Sequence, residues 1–193
     1  IIWNELHDKC HIDIMPALGT HSPMGEAELK LMFGDTIPMD AYLVHDWRND
    51  VVTLGKADSK LISELSGGKL DYEVNIQVNK ILFEDYDLIL SIGQVVPHEV
   101  VGMANYTKNI MVGIGGSDMI NKSHFLGAVS NLEKIMGHAD SPVRRLFNYD
   151  NKEARIQVAA EASKLYILYL QLTIKTQSLL KFFRCMAAKL PFQ

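Results

Sequence analysis

Strand-like and helix-like segments alternate along this chain, and the alternation predicts an α/β layered domain with a largely parallel, Rossmann-like sheet. Three observations carry that expectation. Tyr72 to Val78 sets Val74, Ile76 and Val78 on one face at period two. Asp87 to Ile92 runs Leu88, Ile89, Leu90 and Ile92 almost without polar interruption, as in a sheet covered on both faces. Helical stretches follow around Ser117 to Phe125, Leu132 to Met136 and Pro142 to Ala162.

Ile12 to Leu18 is a short apolar run ending at Gly19. Ser22-Pro23 then predicts a helix start, with Ser22 as N-cap and proline at the first helical position. The helix, Met24 to Phe33, carries Leu29, Met32 and Phe33 on one side and stops at Gly34. Ala41 to Val44 reads as a second strand, leading into His45-Asp46-Trp47. Val51 to Leu54 is a third, and Gly67-Gly68 marks the turn before Tyr72. After the apolar strand, Gly93 to Gly116 is polar and glycine-rich, and a loop of that length in a compact domain is more often functional than idle. Leu165 to Leu172 is expected to be a last strand, before a basic tail. Residues 1–172 are therefore expected to form one domain, and 173–193 a tail of uncertain structure.

Composition narrows the function. The chain has 193 residues, 48% hydrophobic and 22% charged, which suits one globular core. A net charge of -4 with scattered Lys and Arg argues against nucleic acid as a partner. No run reaches the roughly 20 apolar residues that a membrane span needs. Cys10 and Cys185 lie near opposite ends and form no C-x-x-C pair, so a reducing, cytoplasmic location is expected. The first residue is Ile1, which suggests that the sequence starts within a longer protein. Nothing in it sets the oligomeric state.

Ligands of α/β domains bind where loops leave the carboxyl ends of strands, and three histidines stand in such places. His21 follows the first apolar run, His98 follows the apolar strand, and His124 lies on the helix after the glycine loop; Lys108 sits between the last two. Histidine exchanges protons near neutral pH. Two of them on opposite sides of one carbon can swap acid and base roles, as inversion of a stereocentre needs. A lysine amine can bond covalently to a carbonyl-bearing cofactor, and a further imidazole can ligate a transition metal. Each residue also has a blander reading. A lone loop histidine is more often structural, His45 can simply be packed with Asp46 fixing its ring, and Gly113-x-Gly115-Gly116 matches no nucleotide-binding fingerprint. A zinc-dependent hydrolase or lyase built on His21, His98 and His124 is the alternative.

The ordered set Ala17-Leu18-Gly19-Thr20-His21-x-Pro23-Met24, His45-Asp46, Ile92-Gly93 with Pro97-His98, Lys108 and His124 resembles the lactate racemase family over roughly Ile12 to Tyr149. Lys108 follows His98 by ten positions and His124 follows Lys108 by sixteen, as in that family. The resemblance implies an incomplete N-terminal catalytic domain of a two-domain enzyme. It further implies a racemase or epimerase of 2-hydroxy acids or sugar acids, which works by hydride transfer to a nickel-pincer nucleotide installed by cofactor-maturation enzymes. Lys108 would anchor that nucleotide covalently, His124 would ligate its nickel, and His21 and His98 would be the two proton-transfer groups. Two departures are visible. The family's Phe-Ser-Gly-Gly-x-Lys approach to the lysine reads Met103-Ala104-Asn105-Tyr106-Thr107-Lys108 here, and Val112-Gly113-Ile114-Gly115-Gly116 stands where a Pro-Gly pair is common. Both alter the cofactor cradle and put lactate itself in doubt as the substrate. The resemblance also implies an Asp- and Arg-bearing segment before Ile1 and a second domain afterwards, without which the isolated fragment is expected to be inactive.

Overall fold

The computed structural model describes residues 1–84 and 86–149, together with the backbone of Leu165 and Tyr166. Its centre is a two-stranded antiparallel pair, β1 (Val51–Ala57) and β2 (Val74–Asn79), running from Val51 opposite Asn79 to Ala57 opposite Val74. A bulge between Thr53 and Gly55 shifts the register. Helix α3 (Ser59–Ser66) joins the two strands, after α1 (Ile2–Leu6) and α2 (Glu26–Phe33). The Asp58 carboxylate caps α3 by accepting from the Leu61 amide at 2.8 Å, and Gly67 closes the helix in the left-handed region.

The row Val74, Ile76 and Val78 is buried as the alternation predicts. Val74 joins a core with Ala57, Ile62, Leu70, Val101, Met119, Leu126, Val143, Leu146 and Phe147. Ile76 and Val78 form a second cluster with Leu54. Each fully buried aliphatic side chain contributes about 1.5–3 kcal/mol over an exposed one. That burial presses α5 (Ser117–Val129) onto β2, and α7 (Pro142–Phe147) against α3 and α5. The Asn75 amide also donates to Asp118 on α5 at 2.7 Å.

The large parallel sheet is not what the described residues form. Both β1–β2 and the short hairpin of β4 (Pro97–His98) and β5 (Gly102–Met103) are antiparallel. Parallel pairing is confined to β3 (Ile89–Leu90) with β6 (Leu165–Tyr166) and to a bridge between Ile14 and Tyr42. A strand's period reports which face is buried, not which way its neighbour runs. Glycines 67 and 68, both at positive φ, turn the chain after α3 so that it enters β2 in the reverse sense.

Several local expectations change as well. Helix α2 starts after Gly25, with the Glu28 carboxylate accepting from the Gly25 amide at 2.7 Å, so Ser22 is not its cap. On its expected inner face only Leu29 is buried; Met32 and Phe33 are exposed. Ile12 to Leu18 and Ala41 to Val44 meet only through the one bridge. The apolar strand shrinks to Ile89–Leu90, and Ile92 is exposed. Gly93 to Gly116 is not one loop: it holds the β4–β5 hairpin and α4 (Thr107–Met111). Helix α6 (Leu132–Ile135) falls where expected. The rest of the stretch expected to be helical, up to Ala162, and the tail 173–193 lie outside the described residues, as does the expected last strand beyond Tyr166.

Candidate active site

Three elements bring His98, Lys108 and His124 toward one another. His98 ends β4, and the amides of Val100 and Val101 donate to its Nδ1 at 3.1 and 3.4 Å, which ties the ring to the tight turn. Val100 reaches α5 because Gly127 lacks a side chain there: a Cβ would sit 2.9 Å from Val100 Cγ1. His124 lies three residues before Gly127, hence on the same face of α5. Its Nδ1 donates to the Ile120 carbonyl at 2.6 Å, leaving the Nε2 lone pair outward. Lys108, partly buried on α4, completes the group.

The electrostatics register this proximity. Burial pulls His98 below the usual histidine range, and the charges of Lys108, His124 and Arg144 push the same way against Glu99. Burial likewise lowers Lys108, with Arg144 adding to it and Glu99 opposing. Burial is the leading cause and disfavours the charged amine, with Glu99 opposing it and Arg144 adding to it, so Lys108 is shifted toward the neutral, nucleophilic form. Glu99 carries a carboxylate oxygen 3.7 Å from His98 Nδ1. The two amides favour the neutral ring with its proton on Nε2, whereas the carboxylate favours a proton on Nδ1. The ring is thus held between its donor and acceptor forms.

His21 is placed differently. It is exposed and lines an open depression with Leu18, Pro23, Met24, Tyr42 and His45. It is not among the groups acting on His98 or Lys108. Its loop is nevertheless docked on the α4–α5 turn: the Gly19 amide donates to the Gly113 carbonyl at 2.8 Å, and the Gly113 amide to the Lys108 carbonyl at 3.0 Å. The Tyr42 hydroxyl in the same depression is sealed from solvent and has no hydrogen-bond partner among the described residues. His45 is structural. Its Nδ1 accepts from Asn79 at 2.8 Å and its Nε2 donates to the Gly115 carbonyl at 3.0 Å, so Asn79 rather than Asp46 fixes the ring. Asp46 instead accepts from the Arg48 and Asn49 amides.

Glycines 113, 115 and 116 serve packing, not a phosphate cradle. A Cβ at Gly115 would lie 2.0 Å from the Met111 carbonyl oxygen, and one at Gly116 would lie 2.4 Å from the Gln77 side chain. The three-histidine zinc alternative has no cluster to rest on: among the described residues no three His, Cys, Asp or Glu side chains gather to hold a metal. No helix among them is long and apolar enough to cross a membrane.

Two residues of this region escape sequence reading. Glu99 adjoins His98 and could have been noticed as a charge beside a candidate base. Arg144 could not, because its partners lie some forty positions upstream. The backbone before Lys108 is also unusual. Asn105 and Tyr106 have φ of 66° and 57°, and Tyr106 has ψ of -138°, a region that suits glycine. These two positions are where the resembled pattern carries Gly-Gly. Replacing Tyr106 with Gly should therefore leave a protein more stable than replacing it with Ala, by about 1 kcal/mol or more. Both variants lose the same ring, so urea midpoints of the pair isolate the strain; equal midpoints would reject it.

A mixed α/β scaffold thus places Lys108 and His124 within electrostatic reach of His98. The chain belongs to the lactate racemase N-terminal domain family, whose profile matches residues 1–137. It is 30% identical to the lactate racemase of Thermoanaerobacterium thermosaccharolyticum over 162 residues, covering 81% of this chain and 35% of that one. The chain thus spans about a third of that relative's length. Among solved structures it resembles a Thermotoga maritima protein, with a TM-score of 0.69 and 26% identity over 80% of this chain and 37% of that one. It also resembles the lactate racemase apoprotein of T. thermosaccharolyticum, with a TM-score of 0.58 and 24% identity over 76% and 33%, a likeness that shows the fold.

Proposed function

We propose that the enzyme to which this domain belongs is a racemase or epimerase of a 2-hydroxy acid or sugar acid that uses a nickel-pincer nucleotide. The observation supporting it most directly is that Lys108 and His124, from two other elements, both act electrostatically on His98, in a chain of the lactate racemase N-terminal domain family.

The donor set fits such a cofactor. Lys108 offers an amine with weakened charge as the covalent anchor. His124 offers one imidazole nitrogen, its ring oriented by Ile120, as a single protein ligand to nickel. When bound, the nucleotide would supply a hydride acceptor, which spares the enzyme a carbanion beside the substrate carboxylate.

The protein's own share is orientation and proton transfer. His98 would exchange the substrate hydroxyl proton through Nε2, since Nδ1 is turned toward the backbone. His21 would serve the other enantiomer from the docked loop. The substrate would be a small hydroxy acid, and the partners the cofactor-maturation enzymes.

The test is covalent rather than kinetic. Protein produced alongside those maturation enzymes should carry a mass addition on the peptide holding Lys108, and Lys108→Ala should lack it. An unmodified Lys108 peptide, or an addition unaffected by that substitution, would rule out the anchor.

A further inference from the structure

We propose that Arg144 is a positioning residue for Lys108: from α7 it clamps the strained bend that opens α4 and sets a fixed positive charge beside the amine. The proposal rests on Lys108 being the reactive amine of the preceding section. Arg144 itself lies beyond residues 1–137, the stretch the family profile covers.

The clamp is built as follows. Arg144 is only 6% exposed. One terminal nitrogen donates to Thr107 Oγ1 at 2.7 Å. The other donates to the carbonyls of Met103 at 2.5 Å and Asn105 at 3.3 Å. Its guanidinium carbon stands 5.6 Å from the centre of the Tyr106 ring. These four partners, among the described residues, belong to the five residues immediately before Lys108. A planar fork can reach two carbonyls and a hydroxyl at once, which a lysine ammonium cannot do from one position.

The bend is held from its other side as well. Asn105 Nδ2 donates to the Gly93 carbonyl at 2.9 Å, and Asn105 Oδ1 accepts from Asn109 at 2.7 Å. Ser141, the N-cap of α7, donates to the Val101 carbonyl at 2.9 Å, so α7 is pinned to the hairpin that carries His98. Two consecutive non-glycine residues at positive φ do not hold that shape unaided. The charge matters too, because burying an arginine is costly unless it is well bonded. Among the described residues, the charged groups acting on Lys108 are Glu99 from the hairpin turn and Arg144 from α7, and they oppose one another.

The experiment is competitive acetylation of the full 193-residue chain with acetic anhydride across a pH series, read peptide by peptide by mass spectrometry. The exposed lysines Lys60 and Lys134 are internal references. In wild type, Lys108 should reach half its limiting rate at lower pH than the references. In Arg144→Met the Lys108 profile should move to higher pH, with severalfold slower relative labelling near about pH 8 and the references unmoved. Arg144→Lys, which keeps the charge but not the planar fork, should restore only part of the profile, the remaining shift reporting the lost clamp. A merely structural arginine would not produce that pattern.

An unchanged Lys108 profile in a cooperatively melting Arg144→Met protein overturns the proposal. Arg144→Gln, a second neutral variant that keeps a donor, is read in the same way. If neither neutral variant melts cooperatively, Arg144 is a fold residue and the positioning role is abandoned. Absence of a cofactor mass on wild-type Lys108 would reject the anchor reading alone, since the labelling profile is measured without cofactor.

Discussion

Replacing Gly102 with Ala is expected to cost about 4 kcal/mol or more of folding stability, among the larger effects any single substitution has. Gly102 opens β5 with a φ of 87°, which already penalises a side chain by about 1–2 kcal/mol. In addition, a Cβ there would lie 2.0 Å from the His138 carbonyl oxygen and 3.0 Å from that of Ile135. Both are backbone atoms and cannot swing aside as a flexible side chain would. Gly102 also accepts from the Gly137 amide at 2.9 Å, so moving the strand breaks that contact too. Gly68→Ala is the control: φ is 80° there, but nothing lies within 4 Å of the added carbon, so it pays for strain alone. Urea denaturation of the two variants separates strain from overlap. Equal losses of about 1 kcal/mol in both would mean that the hairpin does not approach the α6–α7 connection as described.

Gly102 also shows why parts of this fold resist reading from sequence. The hairpin that carries His98 has strands of two residues each, too short for any period to register. It exists because Val100 and Val101 pack against α5 and α7, contacts made across the chain. By contrast, Val74, Ile76 and Val78 were legible because a half-buried strand must alternate, and α5 because its length gives the helical period room. Helix α3 was legible in principle: Asp58 caps it, Ile62 and Leu65 face inward, and Gly67 stops it. The eye goes instead to Gly67-Gly68 as a turn. The candidate site divides in the same way. His98, Lys108 and His124 are visible as residue types at family-like spacing. What the sequence hides is Gly127, which lets Val100 approach α5, and Arg144, which bonds to the bend before Lys108; neither is visible until the chain is folded.

The competing reading of His98 is that it merely caps its turn, and the two are separable. Asparagine at position 98 can keep an acceptor near the Nδ1 position for the Val100 and Val101 amides while removing the titrating Nε2. In enzyme produced with its cofactor, His98→Asn should lower kcat by about 10²–10⁴, the range for losing one general acid–base group. Folding stability should stay near wild type and the mass on Lys108 should remain. His98→Ala should lose kcat similarly but also stability, because two amides near the α5 packing face lose their acceptor, at about 1–3 kcal/mol. The pair therefore splits the two roles: stability follows the acceptor, turnover follows the proton. If His98→Asn turns over at the wild-type rate, the ring is a turn cap only. The proton exchange would then have to be sought at the other imidazole, His21, whose loop rests on the turn behind Lys108.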